Sequence, residues 1–164
     1  MAKGASARAA ARRQKDKWKA KRWYSIRAPR NPWSFKVIGE TLAEEEALLV
    51  GRPYEIMQNE LDGDFTKMHV KLKFRISDVV GNDAITEFIG HDVMKDFVRR
   101  QIRRDRGKID DTIDVVTDDG FFVRIKPFIV TRSTVKASQK SETRSVARDV
   151  VLKFCAQSTW INVQ

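Results

Sequence analysis

The chain has 164 residues, 41% hydrophobic and 33% charged, with a formal net charge of +10, which suits one ordinary core plus a tail. No run nears the roughly 20 apolar residues that span a bilayer, and the N-terminus lacks the apolar segment of a secretory signal, so no membrane partner is expected. A single cysteine, Cys155, excludes an internal disulfide and fits a reducing compartment; with only two histidines the chain also lacks the ligands of a structural zinc site.

The charge is unevenly placed. Eleven of the 32 basic residues and one of the 22 acidic residues lie within Met1–Arg30, which leaves 21 of each sign for Asn31–Gln164. A neutral body with a concentrated basic arm is the charge plan of a protein that threads a tail into nucleic acid. Arg8, Arg12, Arg13, Lys15, Lys17, Lys19, Lys21 and Arg22 supply cations for phosphate, and Trp18 and Trp23 supply rings that stack on unpaired bases. So many charges leave little surface to bury, so residues 1–30 are expected to form a basic extension, disordered away from its RNA partner. Pro29 and Pro32 mark the entry into a single α+β RNA-binding domain over residues 31–164.

Apolar alternation predicts a strand over Trp33–Ile38 and a short one over Arg52–Met57, where Pro53 points to a strand start or an edge. The clearest strand is Met68–Ile76. Met68, Val70, Leu72, Phe74 and Ile76 face one way; His69, Lys71, Lys73 and Arg75 form a basic outer face. Ala84–Gly90 follows the turn signal Gly81-Asn82-Asp83 as another strand. Asp92 is the expected N-cap of a helix that runs to about Arg106 and stops at Gly107. A hairpin is then predicted, Ile109–Thr117 and Phe121–Val130 about the turn Asp118-Asp119-Gly120. Ser138 to about Gln157 reads as a helix with Val146, Val150 and Phe154 on one face, and Cys155 is expected in the core. Strands outnumber helices and the connections are short. The predicted fold class is therefore α+β, an antiparallel β-barrel-like core flanked by two helices, with the basic N-terminal extension.

Arg99, Arg100, Arg103, Arg104 and Arg106 crowd the end of the predicted helix. A helix C-terminus favours cations, but one or two serve that end; five make a phosphate-contacting face. The cluster Asp110, Asp111, Asp114, Asp118 and Asp119 raises the alternative of a metal-dependent nuclease. Against it, the turn accounts for Asp118 and Asp119, strand alternation puts Asp110 and Asp114 on one face and Asp111 on the other, and no third ligand is evident. No nucleophile stands beside a base, and no glycine-rich loop is present to cradle phosphate. No enzymatic activity, catalytic residue, metal site or cofactor is expected.

Beyond these patterns, the residues resemble the archaeal and eukaryotic small-subunit ribosomal protein family with the older name S-three-A-e. The matching blocks are Trp23-Tyr24 with Ala28-Pro29, Ile38-Gly39 with Thr41-Leu42, Gly51-Arg52 with Glu55 and Glu60-Leu61, and Lys71-Leu72-Lys73-Phe74. Phe88 with Gly90 and Asp92, then Thr117 with Asp119-Gly120, follow in family order. Pro53, Met57 and Gln58 depart from the pattern, and family members continue beyond the position of Gln164. The resemblance implies a structural protein of the small ribosomal subunit, working in translation in cytoplasmic ribosomes. It implies binding to small-subunit rRNA and to neighbouring small-subunit proteins on the platform near the mRNA exit, and leaves direct contact with mRNA open. The alternative from another class is a non-ribosomal RNA- or DNA-binding regulator.

Overall fold

The alternation read over Met68–Ile76 becomes one of the two longest strands of the molecule, but it starts at Val70: Met68 and His69 lie in a turn, and Met68 is exposed. The computed structural model describes residues 18–163, which fall into two units divided between Asp92 and Val93. In the first unit the strands are β1 (Arg22–Arg27), β2 (Val37–Ala43), β3 (Pro53–Met57), β4 (Val70–Val80) and β5 (Asp83–Val93), with the single-turn helix α1 (Gln58–Asp62) after β3. They form one sheet in the order β2-β1-β5-β4-β3. β4 and β5 are joined by Gly81-Asn82, where Gly81 takes a φ of 63°, a conformation that glycine reaches without a Cβ penalty. Tyr24, Ile26, Leu72, Phe74, Ile76, Ala84 and Phe88 supply the buried face. A fully buried side chain such as Phe74 is worth about 1.5–3 kcal/mol relative to exposure.

This sheet corrects the predicted barrel in two respects. It is not all antiparallel: β1 runs antiparallel to β2 but parallel to β5, with Ile26 opposite Ala84. Nor is it closed. Its edge strands β2 and β3 are bridged by side chains instead. Tyr54 Oη donates to the Ile38 carbonyl at 3.1 Å, and Arg52 Nη1 donates to Thr41 Oγ1 at 2.6 Å and to the Leu42 carbonyl at 3.2 Å. Lys36 Nζ reaches the Leu61 carbonyl from the residue before β2. The sheet is therefore coiled enough for its edges to meet without completing a ladder.

The strand expected over Trp33–Ile38 begins only at Val37. Ser34 and Phe35 have φ values of 51° and 57° within a tight turn, and Trp33 swings inward, its ring 5.2 Å from Phe74 and 5.4 Å from Phe88. Arg22–Arg27, assigned to the extension by the sequence pattern, is a strand of the sheet, with Tyr24, Ile26 and Ala28 buried. Residues 31–164, read as one domain, contribute to both units.

The second unit contains α2 (Lys95–Gln101), β6 (Lys108–Asp110), β7 (Ile113–Val116), β8 (Phe122–Ile125), β9 (Phe128–Val130), α3 (Ala137–Ala156) and the single turn α4 (Trp160–Val163). The predicted hairpin is present but interrupted. β7 pairs with β8 and β6 with β9 in one continuous register, from Val116 opposite Phe122 to Lys108 opposite Val130. Asp111-Thr112 and Lys126-Pro127 face each other across the break, where Pro127 has no N–H to offer a ladder. α3 lies against β6 and β7. Its inward residues are Val151 and Cys155, packed with Ile113, Val115, Val123 and Ile125. Val146, Val150 and Phe154 form a face as expected, but it is the exposed one. Four helices are thus described where two were predicted, two of them single turns.

Candidate nucleic-acid interface

The cations of the N-terminal stretch divide at the edge of the described residues. Arg8, Arg12, Arg13, Lys15 and Lys17 lie outside them. Trp18 is 70% exposed, and Lys21 Nζ sits 3.9 Å above its ring, a cation–π geometry closed by the turn from Lys21 N to the Trp18 carbonyl at 3.3 Å. Lys19 and Arg22 are exposed. Strand alternation on β1 turns Trp23 outward, 62% exposed, and sends Tyr24 into the core. Of the two adjacent aromatics, only Trp23 is presented for a partner.

The arginine run differs from its predicted helix. Asp92, expected as N-cap, ends in β5, where its carboxylate lies 3.6 Å from Lys73 Nζ. The helix therefore starts at Lys95 and ends before Ile102, whose backbone is extended. Arg99 and Arg100 occupy its last turn, while Arg103, Arg104 and Arg106 lie in the loop to β6. That loop is anchored at its exit. Gly107 donates to Thr131 Oγ1 at 2.9 Å, and Thr131 N returns a bond to the Gly107 carbonyl at 2.9 Å. A Cβ at residue 107 would stand 2.7 Å from Thr131 Oγ1, so any larger residue there would have to displace that hydroxyl.

All five arginines are exposed. Arg99 lies 3.7 Å from Asp96 in a surface pair that holds little energy, and Arg100 Nε donates to the Asp96 carbonyl at 3.4 Å. The side chains of Arg103, Arg104 and Arg106 have no hydrogen-bond or ion-pair partner among the described residues.

Several other surface cations lie against carboxylates. Lys71 and Lys73, read as part of a basic outer face, lie 3.6 Å and 3.8 Å from Glu55, which strand pairing sets opposite Lys73. Lys108 and Asp110 pair at 2.6 Å, and Arg124 binds both oxygens of Asp114 at 2.6 Å and 2.9 Å. Arg148 on α3 grips Asp111 the same way, at 2.5 Å and 2.8 Å. These bonds hold the carboxyls of Asp110, Asp111 and Asp114 below the usual carboxylate range, led by Lys108, Arg148 and Arg124 respectively. Asp119 accepts a bond from Trp160 N at 2.8 Å. The acidic cluster is thus divided among structural partners, Asp111 facing α3 while Asp110 and Asp114 face outward. Among the described residues, no three His, Cys, Asp or Glu side chains are grouped to hold a metal ion.

The sequence pattern missed the depression at the hairpin break, about 520 Å³ and lined by Lys108, Asp110, Asp111, Thr112, Lys126, Pro127 and Phe128. Its signal was Pro127 inside an otherwise strand-like run. Among the described residues no helix is long and apolar enough to cross a membrane.

Comparison with known proteins bears on this arrangement. The small ribosomal subunit protein eS1 of Methanobrevibacter smithii is 40% identical over 151 residues, covering 92% of this chain and 78% of that protein. Its namesake in Methanothermobacter thermautotrophicus is 37% identical over 154 residues, covering 94% and 78%. The namesake in Methanococcus vannielii is 38% identical over 145 residues, covering 88% of this chain and 65% of its own length. The matching family model, described as the Ribosomal S3Ae family, spans residues 9–163, both described units included. The chain accordingly belongs to the Ribosomal S3Ae family, whose members are structural ribosomal proteins and not enzymes.

Proposed function

We propose that the chain is a structural constituent of the small ribosomal subunit that binds small-subunit rRNA and serves translation in cytoplasmic ribosomes. The observation that carries rRNA binding is the contrast among its surface cations. Lys71, Lys73, Lys108, Arg124 and Arg148 each face a carboxylate, whereas Arg103, Arg104 and Arg106 sit exposed beside Arg99 and Arg100, with no side-chain partner among the described residues. Crowded like charges repel one another, and a phosphate backbone relieves that repulsion while releasing its own counterions. Guanidinium groups suit the task, since their fork matches phosphate oxygens. The N-terminal cations, with Trp18 and Trp23, are a second contact region. The place on the platform near the mRNA exit, beside neighbouring small-subunit proteins, is carried over from the family resemblance.

The test is co-sedimentation. A tagged copy of the full chain should stay with purified small subunits through a high-salt wash. Release into the free fraction, with equal binding to unrelated RNA or DNA, would instead identify a non-ribosomal regulator.

A further inference from the structure

We infer that the tip of the hairpin in the second unit, together with α4, is a docking surface for a basic protein. The inference rests on the small-subunit reading above and names a surface that reading does not use. Phe122 is 89% exposed, and Val116, directly opposite it in the β7–β8 register, Phe121 and Ile161 are also exposed. The Phe121 ring lies 6.0 Å from that of Trp160. Phe122 in particular stands in water at a strand end, and exposed aromatics of this kind dominate the energetics of protein interfaces.

The tip is preorganised. Gly120, with a φ of 82°, closes the turn by donating to the Thr117 carbonyl at 2.9 Å, and Thr117 N donates to the Phe121 carbonyl at 3.0 Å. Asp119 ties the turn to α4 through Trp160 N, and Asp118 N donates to the Ser158 carbonyl at 3.3 Å. A surface fixed before binding loses little freedom when it docks.

Charge selects the partner. Residues 109–123 hold five aspartates and no lysine or arginine, and residues 154–164 hold no charged side chain. The nearest cation along the strand, Arg124, is held by Asp114. Asp118 and Asp119 therefore rim the aromatic patch with negative charge. Single-stranded nucleic acid stacks on rings set in a cationic groove, which this patch lacks. A protein that presents an apolar pocket bordered by lysine or arginine complements it.

The experiment uses the full chain with Phe122 replaced by the photo-reactive p-benzoylphenylalanine, incorporated into small subunits and irradiated. The expected product is a cross-link to protein, resistant to ribonuclease, mapping to a peptide with lysine or arginine beside the linked residue. Asp118→Lys should lower its yield at least about threefold without changing incorporation, the size expected for a rim charge. A cross-link to rRNA, no cross-link, or a yield indifferent to Asp118→Lys overturns the inference and leaves the small-subunit assignment standing. Absence of the chain from small subunits overturns both.

Discussion

The Tyr54 hydroxyl stands where a side chain at residue 39 would begin. A Cβ on Gly39 would overlap Tyr54 Oη and lie 2.7 Å from Tyr54 Cζ. Gly39 belongs to β2 and Tyr54 to β3, the two edges of the five-stranded sheet, so this close approach is what the coiling of the sheet accomplishes. The missing Cβ lets the ring lie across β2, and its hydroxyl then satisfies the Ile38 carbonyl. Burial, and then the charge of Glu60, push the hydroxyl pKa up. An edge that could template further strands is thereby covered from within the same sheet.

Gly39→Ala should destabilise the first unit by about 1–3 kcal/mol, because the ring must leave its site or the strands must separate. Tyr54→Phe should cost about 1 kcal/mol through the missing hydrogen bond alone. The two effects should not add, since both act on one contact. Urea unfolding of the two single variants and the double variant measures this. Additive effects would show that the edges are held by other contacts.

The Asp111–Arg148 pair fixes α3 to the hairpin break, with the Asp111 side chain only 13% exposed. Its folded-state pKa is depressed, chiefly by the Arg148 hydrogen bonds, so its stabilisation is full above the unfolded carboxylate value of 3.8 and disappears as pH falls through the lower folded value. Asp110 and Asp114 act in the same direction. The melting temperature should therefore drop below about pH 4, and Asp111→Asn should lower it at neutral pH while flattening the acid limb. An acid limb identical in both proteins would assign the pH dependence to other carboxylates.

How much of this was legible depended on whether a feature was local. The strand was readable from Val70 to Ile76 because its alternation directly encodes which face is buried, although Met68 falls in the preceding turn, and the turns at Gly81 and Gly120 were readable because a positive φ favours glycine. Trp33–Phe35 imitates a strand in pattern, yet its apolar side chains serve a turn that sends Trp33 onto Phe74 and Phe88. The β1–β5 parallel pairing and the Tyr54–Gly39 contact join segments distant in sequence, and no window of the chain carries a signal for either. Asp92 looked like a helix cap because the extra length of β5 depends on its neighbours in the sheet. Of the candidate site, the arginine cluster was visible in composition. The placement of Arg103, Arg104 and Arg106 beyond the helix, and the pairing of Lys71 and Lys73 on the β4 face with Glu55 and Asp92, were settled by tertiary packing.

Replacing Arg103, Arg104 and Arg106 together with Gln should weaken rRNA binding without lowering thermal stability, since among the described residues their side chains have no hydrogen-bond or ion-pair partner. Every phosphate that these arginines neutralise contributes roughly 0.9 to the slope of log K against log salt, by analogy with duplex DNA, so the triple variant should show a flatter line. Unchanged binding with a lower melting temperature would make them intramolecular partners instead.

The last expectation separates the N-terminal cations from the arginine loop. Deleting residues 1–17 removes six basic residues and one acidic residue, yet stops short of β1, whose first residue Arg22 pairs with Ala43. The sheet should therefore fold unchanged in the truncated chain. If the N-terminal stretch neutralises phosphates, the salt slope should fall by roughly 0.9 for each phosphate released, and affinity for all RNAs should fall together. Preference for the rRNA site over unrelated RNA should survive, because phosphate contacts position a protein without reading sequence. Salt titrations of both chains on both RNAs measure the two effects separately. A slope unchanged by truncation would make the arginine loop the principal phosphate-binding region. A vanished preference at constant slope would mean that the N-terminal stretch reads bases or RNA shape.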